Sequence, residues 1–285
     1  MHHSREGLLS VHAAVLIFSF TALFSKLVSL PALEITFYRS VFACLAIAIY
    51  MAYRKQSYIL NSKRDYMMAG LLGSLMAAHW VTYFHAMQVS TVAVGVIALY
   101  TFPVITVFLE PLFHGEKPHV ADIISSLAVL FGIYLIVPEF SLDNSTMVGV
   151  LFGVFSALMM ALRNIMQRRY FSAYRASQSL FYQTLVVMLV LVVFIDADVA
   201  DIDEKQWWLL LLLGIMFTAL PHTLFANGLL HLKAKTASLI ACVQVVYAAI
   251  FAAVLLGEWL SWNVIAGGLI VVSAAMYESL PKQRN

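Results

Sequence analysis

Between residues 8 and 279 the chain passes through ten apolar stretches of bilayer-crossing length, at about 8–27, 33–53, 67–87, 91–111, 120–138, 147–166, 178–195, 207–228, 236–256 and 261–279. A hydrocarbon core about 30 Å thick needs roughly 20 apolar residues of helix. Backbone groups in lipid must bond within their own segment, and none of the ten shows the period-two alternation of a barrel strand. Each is therefore expected to be an α-helix, and the fold class is all-α, polytopic. Composition leaves no other solvent than lipid: 62% of the 285 residues are hydrophobic and 11% charged, with a mean hydropathy of +0.88, too little polar surface to cover a soluble globule. The first stretch ends at Lys26 without a small-residue cleavage site, so it is expected to be a retained span and not a signal peptide. The longest loops, roughly 54–66, 167–177 and 196–206, are too short to fold alone. One transmembrane domain, 1–285, is expected.

Sliding the chain against itself by 142 residues pairs Gly7 with Gly149, Lys26 with Arg168, Tyr83 with Phe225, and Gly115-Glu116 with Gly257-Glu258. The same register sets the basic loop of Arg54, Lys55, Lys63 and Arg64 against a segment carrying Asp196, Asp198, Asp201, Asp203 and Glu204. Basic loops stay cytoplasmic, so equivalent loops of the two halves are expected on opposite sides of the membrane. Repeats 1–142 and 143–285, five helices each, are thus read as inverted, an arrangement found in transporters. With both termini in the cytoplasm, 13 of the 17 Lys and Arg fall on the cytoplasmic side. Lys26 and Lys205 are left outside among the acids.

Other classes find little support. No basic patch with interleaved aromatics suggests nucleic acid. Cys44 and Cys242 lie inside expected helices and suggest neither a disulfide framework nor a metal site, and no cofactor is implied. An embedded enzyme needs a Ser-His or two-Asp constellation at mid-membrane, or a metal motif such as H-E-x-x-H, and none is present.

Several segments read together carry a resemblance. Tyr83-Phe84-His85-Ala86-Met87-Gln88-Val89-Ser90-Thr91 leads through Pro103-Val104 to Leu112-Phe113-His114-Gly115-Glu116-Lys117-Pro118. In the second half Asn227-Gly228-Leu229 leads through Lys235-Thr236-Ala237-Ser238 to Leu255-Leu256-Gly257-Glu258-Trp259-Leu260-Ser261. This resembles the EamA type of the drug/metabolite transporter superfamily over essentially the whole chain, including Arg39 in the second span. The resemblance implies a helical bundle around a central cavity, commonly in a bacterial inner membrane, and often export of amino acids or other small metabolites. One departure stands out: the family's proline thirteen residues before the glutamate is present as Pro103, but Val245 takes its place before Glu258. The second half is expected to lack that helix irregularity.

Ionisable groups inside lipid need a reason to persist. Arg39 would hold a carboxylate if functional, or bond helix C-termini or reach external water if structural. Arg163 lies near the cytoplasmic end of the sixth span and can snorkel toward Arg168. Glu110 is an acid well inside a span and a proton-coupling candidate. His79 and His222 stand one residue apart in the 142 register; they are either cavity lining, with proton coupling open to them, or satisfied packing partners. On the third helix His79, Thr82, Tyr83 and Ala86 share a face, as do Thr218, His222 and Phe225 on the eighth. Trp80, Tyr100, Gln244 and Tyr247 join the cavity candidates, with packing as the alternative. Trp207, Trp208, Trp259 and Trp262 suit the interfacial belt. Glu116 and Glu258 are expected to cap the next helix's N-terminus, with gating as the alternative. Gly70, Gly73, Gly95, Gly267 and Gly268 are expected to allow close helix crossings.

Three functions fit. The first is an alternating-access carrier, an exporter of small zwitterionic metabolites such as amino acids, with His79, His222, Gln244 and Tyr247 supplying hydrogen bonds. The second is an importer of an organic cation such as choline, held by a cage of Trp80, Tyr83, Tyr100 and Tyr247. The third is a non-transporting membrane sensor or scaffold. Expected partners are a small-molecule substrate, the lipid bilayer and, if coupled, protons.

Overall fold

Each of the ten stretches is helical in the computed structural model, which describes residues 2–114, 120–137, 139–196, 202–229, 231 and 234–278. The helices are α1 (His2–Leu27), α2 (Ala32–Tyr53), α3 (Lys63–Val89), α4 (Val92–Leu99), α5 (Phe102–His114), α6 (Val120–Ile136), α7 (Ser145–Tyr170), α8 (Ala176–Leu191), α9 (Glu204–Gly214), α10 (Leu220–Leu229), α11 (Ala234–Leu256) and α12 (Trp262–Glu278). Among the described residues seven segments are long and apolar enough to cross a membrane, and three shorter apolar helices lie at Asp122–Ile136, Ile240–Leu256 and Trp262–Glu278.

Polar residues between the stretches start the helices. Ser62 accepts from the Asp65 N–H, Thr91 from Val94, Asn144 from Thr146 and Met147, and Asp203 from Gln206, each satisfying a donor that the first turn leaves free. Two apolar stretches are broken. The fourth divides at Tyr100 and Thr101 into α4 and α5, since Pro103 has no N–H for the Leu99 carbonyl. The eighth contains a π turn, Ile215–Ala219, between α9 and α10. By contrast α11 runs unbroken through Val245, as its missing proline suggests.

Packing joins the halves. α3 lies on α7 and α1 on α10; α4 lies on α7 and α1 on α11; α3 lies on α8 and α2 on α9. In the 142 register each of these interfaces is the other's twin, and α2 with α8, α4 with α11, and α6 with α12 are their own. Small residues allow these approaches. A Cβ on Gly73 would strike Val186, one on Gly153 would meet Ala98 Cβ at 2.5 Å, and one on Gly267 would strike the Gly132 carbonyl. Gly95 and Gly268 are likewise hemmed in, by Met87 and Ile97, but Gly70 faces open space and supports no crossing.

Candidate functional site

Among the described residues the most heavily buried charge is Arg39 of α2, 2% exposed. Its guanidinium carbon stands 3.8 Å from the centre of the Trp80 ring and 4.9 Å from that of Phe84, both on α3. A desolvated cation over an indole is held by the ring's negative face. Trp80 in turn meets the edge of His222 on α10, ring centres 6.1 Å apart, and Phe18 of α1 meets the same imidazole at 4.8 Å. One turn from Trp80, Tyr83 stacks with His79 at 6.0 Å.

Hydrogen bonds assign both imidazole tautomers. Ser156 on α7 donates its only hydroxyl proton to the His79 carbonyl at 2.9 Å, so its Oγ accepts from His79 Nδ1 at 2.7 Å. His222 Nδ1 lies 2.7 Å from the Thr218 carbonyl, which can only accept. Each ring therefore carries its proton on Nδ1, and Nε2 of the neutral ring is an acceptor.

The π turn explains why the two histidines are one residue out of register. A π turn inserts one residue into a helix, and this one precedes His222 while α3 has none before His79. Counting that residue, the partner of His79 becomes His222 where the 142 register alone gives Pro221, and within the same helix Tyr83 then stands opposite Ala226 and not Phe225. The turn is held by Thr218 Oγ1 donating to Leu213 O, five residues back. Pro221 offers no N–H to the Phe217 carbonyl, and Thr21 of α1 donates to it at 2.8 Å.

Arg163 does not snorkel toward Arg168. Its Nε donates to Gln183 Oε1 at 2.6 Å and its Nη1 to Asn164 Oδ1 at 3.1 Å. Gln183 is 1% exposed and bonds onward to Gln167 and Ser179, so this arginine turns inward onto a ladder of amides.

The remaining expected cavity residues lie apart. Tyr100, at the α4–α5 break, donates to the Ala241 carbonyl beside Gln244 Oε1 at 3.1 Å, and Ser19 of α1 donates to the Gln244 carbonyl at 3.3 Å. Both are committed to the α1–α4–α11 junction. Tyr247 stacks on Phe251 at 6.3 Å, next to the apolar cluster of Val11, Val15 and Phe225. Tyr83 also meets Phe84, ring centres 6.0 Å apart, whose ring the Arg39 guanidinium faces. The side chain of Glu110 and the whole of Glu116 lie outside the described residues.

Glu258 caps a helix, but a different one from the next in sequence. Gly257, at φ +71°, ends α11, and the Glu258 N–H bonds back to Ala252 O, the closing bond of a left-handed C-cap that glycine adopts without strain. The turn carries the carboxylate across to α4, where Oε2 accepts from the Val92 N–H at 2.8 Å. α12 is instead capped by Ser261, which accepts from Val264. Lys26 completes this end, donating to the carbonyls of Gln88 at 3.1 Å and Ser90 at 2.8 Å with Glu258 Oε1 at 4.0 Å. The Leu-Gly-Glu motif is thus a device that ties the C-terminus of α11 to the N-terminus of α4.

Two stretches, 5–137 and 147–278, match the EamA-like transporter family, and their starts differ by 147 − 5 = 142 residues. The chain belongs to that family. Similar proteins include the pseudopaline exporter CntI of Pseudomonas aeruginosa, 26% identical over 90% of this chain and 88% of its own. Another is an uncharacterized transporter, YxxF, of Bacillus subtilis, 25% identical over 80% of this chain and 74% of its own. A solved crystal structure superposes with a TM-score of 0.65 at 16% identity, covering 94% of each chain, which shows the shared fold. This EamA-like protein is a multi-pass membrane transporter and not an enzyme; it is a secondary transporter that moves small solutes across a membrane.

Sequence reasoning did not find Ser156, Gln183 or Thr21, because each acts on another helix, Ser156 and Thr21 on one of the opposite half and Gln183 on α7. Thr36, fully buried one turn before Arg39 on the same helix, had a signal in its i, i+3 spacing.

Proposed function

We propose that this EamA-like transporter is a ten-span, alternating-access exporter of small metabolites such as amino acids, in a bacterial inner membrane with both termini cytoplasmic. Its two five-helix repeats, 1–142 and 143–285, are inverted about a substrate site made by Arg39, His79, Trp80, Tyr83 and His222. The observation that carries the reading is that buried polar groups from both halves meet between helices whose interfaces come in twins. A site on a pseudo-twofold axis is where two packings of equal contact can exchange. The Lys26 end is closed by Glu258 on α4, and the His79 and His222 Nε2 atoms are the acceptors through which a proton would couple. The exporter named among the similar proteins supports the outward direction.

An importer of an organic cation is disfavoured. The Trp80 face that a cage needs already holds the Arg39 guanidinium. A cation brought there meets a like charge.

Counterflow in proteoliposomes tests the proposal, with labelled amino acids, polyamines, choline and nucleotide sugars, each with and without a pH gradient. Saturable exchange of amino acids, lost in His79→Ala and His222→Ala, is expected. Absence of flux for every solute would return the sensor or scaffold reading, and exchange of choline alone would replace the substrate class.

A further inference from the structure

Arg39 is buried with two nitrogens, Nε and Nη1, that donate to nothing. The Tyr83 hydroxyl, in a side chain 6% exposed, is also unpartnered, and so is Thr36 Oγ1 in a side chain 0% exposed. Thr36 lies one turn from Arg39 on the same face of α2, and the Tyr83 ring packs against Phe84, ring centres 6.0 Å apart, one of the two rings that the Arg39 guanidinium faces. Buried polar groups in folded proteins are overwhelmingly hydrogen-bonded. Here three side chains, all able to donate and one of them a fixed positive charge, are left open on two helices, α2 and α3, that pack on each other. Among the described residues no carboxylate forms an ion pair with Arg39; Glu258 pairs instead with Lys26. The Trp80 stack satisfies the flat face of the guanidinium and leaves its in-plane N–H donors available.

We infer that Arg39, Tyr83 and Thr36 form a binding site for a carboxylate, so that the transported solute is one that carries a carboxylate group. This rests on the transport reading above and specifies its substrate class. A planar carboxylate offers about four lone-pair directions, which the guanidinium and two hydroxyls can meet in a water-poor setting where charge-assisted hydrogen bonds are strongest. Among the described residues no acid pairs with the arginine, as a structural ion pair would require. Its positive charge, from Arg39, matches an anionic head, while the Nε2 atoms of His79 and His222 are acceptors suited to an ammonium or hydroxyl elsewhere in the same solute. In this state the helices close over the guanidinium, so the solute enters when the halves part.

Purified full-length protein in detergent is the test material. Its thermal unfolding is followed with millimolar L-alanine, L-histidine, L-glutamate or succinate, each against its carboxamide, and against sodium chloride and sulfate. Expected is stabilisation by one or more of the acids and not by the matching amide, with an apparent affinity weakened at least about tenfold in Arg39→Gln and several-fold in Tyr83→Phe. Should Arg39→Gln fail to fold, Tyr83→Phe and Thr36→Val carry the same comparison. Equal effects of acid and amide on the wild-type protein would overturn the site, as would an acid response kept in Arg39→Gln. So would chloride or sulfate acting as well as any acid, which points to an unselective anion site. Counterflow separates this from the broader proposal: an acid that binds through Arg39 yet never crosses the bilayer refutes the carrier, and an amide that crosses as fast as its acid refutes the carboxylate site.

Discussion

Replacing Arg39 by methionine separates a substrate-binding arginine from a structural one by the sign of a stability change. Arg39 enters the bundle seven residues after Ala32, about 10 Å along the helix at 1.5 Å per residue. A charged side chain well inside a span costs about 2.5 to 3.5 kcal/mol on insertion scales. Against that, a desolvated cation–π contact returns about 2 kcal/mol, and the Trp80 stack at 3.8 Å is of that kind. The balance leaves Arg39 unfavourable by about 0.5 to 1.5 kcal/mol in the empty carrier. Methionine, unbranched and of similar length, fills the space without the charge. Arg39→Met is therefore expected to stabilise the protein by about 1 kcal/mol, roughly 2 °C or more in melting temperature, while abolishing flux in proteoliposomes. A structural ion pair predicts the reverse, since removing one partner of a buried pair costs about 3 to 5 kcal/mol. Reversible unfolding in mixed micelles reads the difference. A loss of more than about 2 kcal/mol would refute the reasoning that Arg39 waits for an absent partner.

Glu258→Ala removes the acceptor for Val92 N–H, and the lost cap is expected to lower stability by about 1 kcal/mol; a cysteine placed at position 91 should become more accessible to an impermeant maleimide, and unchanged labelling would count against closure at this end. Gly73→Ala drives a Cβ into Val186 and is expected to cost about 1 to 3 kcal/mol. Gly70→Ala meets nothing within 4 Å and should gain up to about 1 kcal/mol from helix propensity; unfolding midpoints of the two variants would show the contrast or dismiss it. Ser156→Ala leaves His79 Nδ1–H without its acceptor, a loss of about 1 to 3 kcal/mol, and Ser156→Thr should recover part of the unfolding free energy if the hydroxyl is what matters.

The elements that sequence made legible are those governed by local rules. Apolar length located the helices, and Ser62, Thr91, Asn144 and Asp203 sit where caps belong. Pro103 marked a break because a missing N–H is a property of one residue. Glu258 shows the limit: its glycine fixed the turn, but the helix it would cap depended on which half packs against α11, which no local pattern states. Arg163 was misjudged for the same reason. Snorkelling is the default for an arginine near a helix end, and only the amide of Gln183, on another helix, overrides it. Arg39 could be flagged as costly from sequence, yet the indole beneath it and the open donors beside it follow from α2 meeting α3.

The π turn offers a further test of the repeat, because an inserted residue can be removed where an ordinary helical residue cannot. In a regular α-helix, deleting one residue turns everything beyond it by about 100° and shifts it by 1.5 Å. A π turn already holds one residue more than the α-helix needs, so deleting it restores regular hydrogen bonding and leaves the flanking faces in place. Met216 lies in the turn and is 44% exposed. Its deletion is expected to give a protein that still inserts and elutes as a single species by fluorescence-detected size exclusion, with His222 kept against Trp80 and Phe18. Deleting Ser74, equally peripheral but in the unbroken α3, turns either the segment before it or the face carrying His79, Trp80 and Tyr83, and is expected to abolish folding. If both deletions are lost alike, the turn is not the inserted residue of the second half, and the pairing of His79 with His222 loses its structural basis. If the Met216 deletion folds and transports, the two histidines occupy equivalent places reached by sequences that differ by one residue.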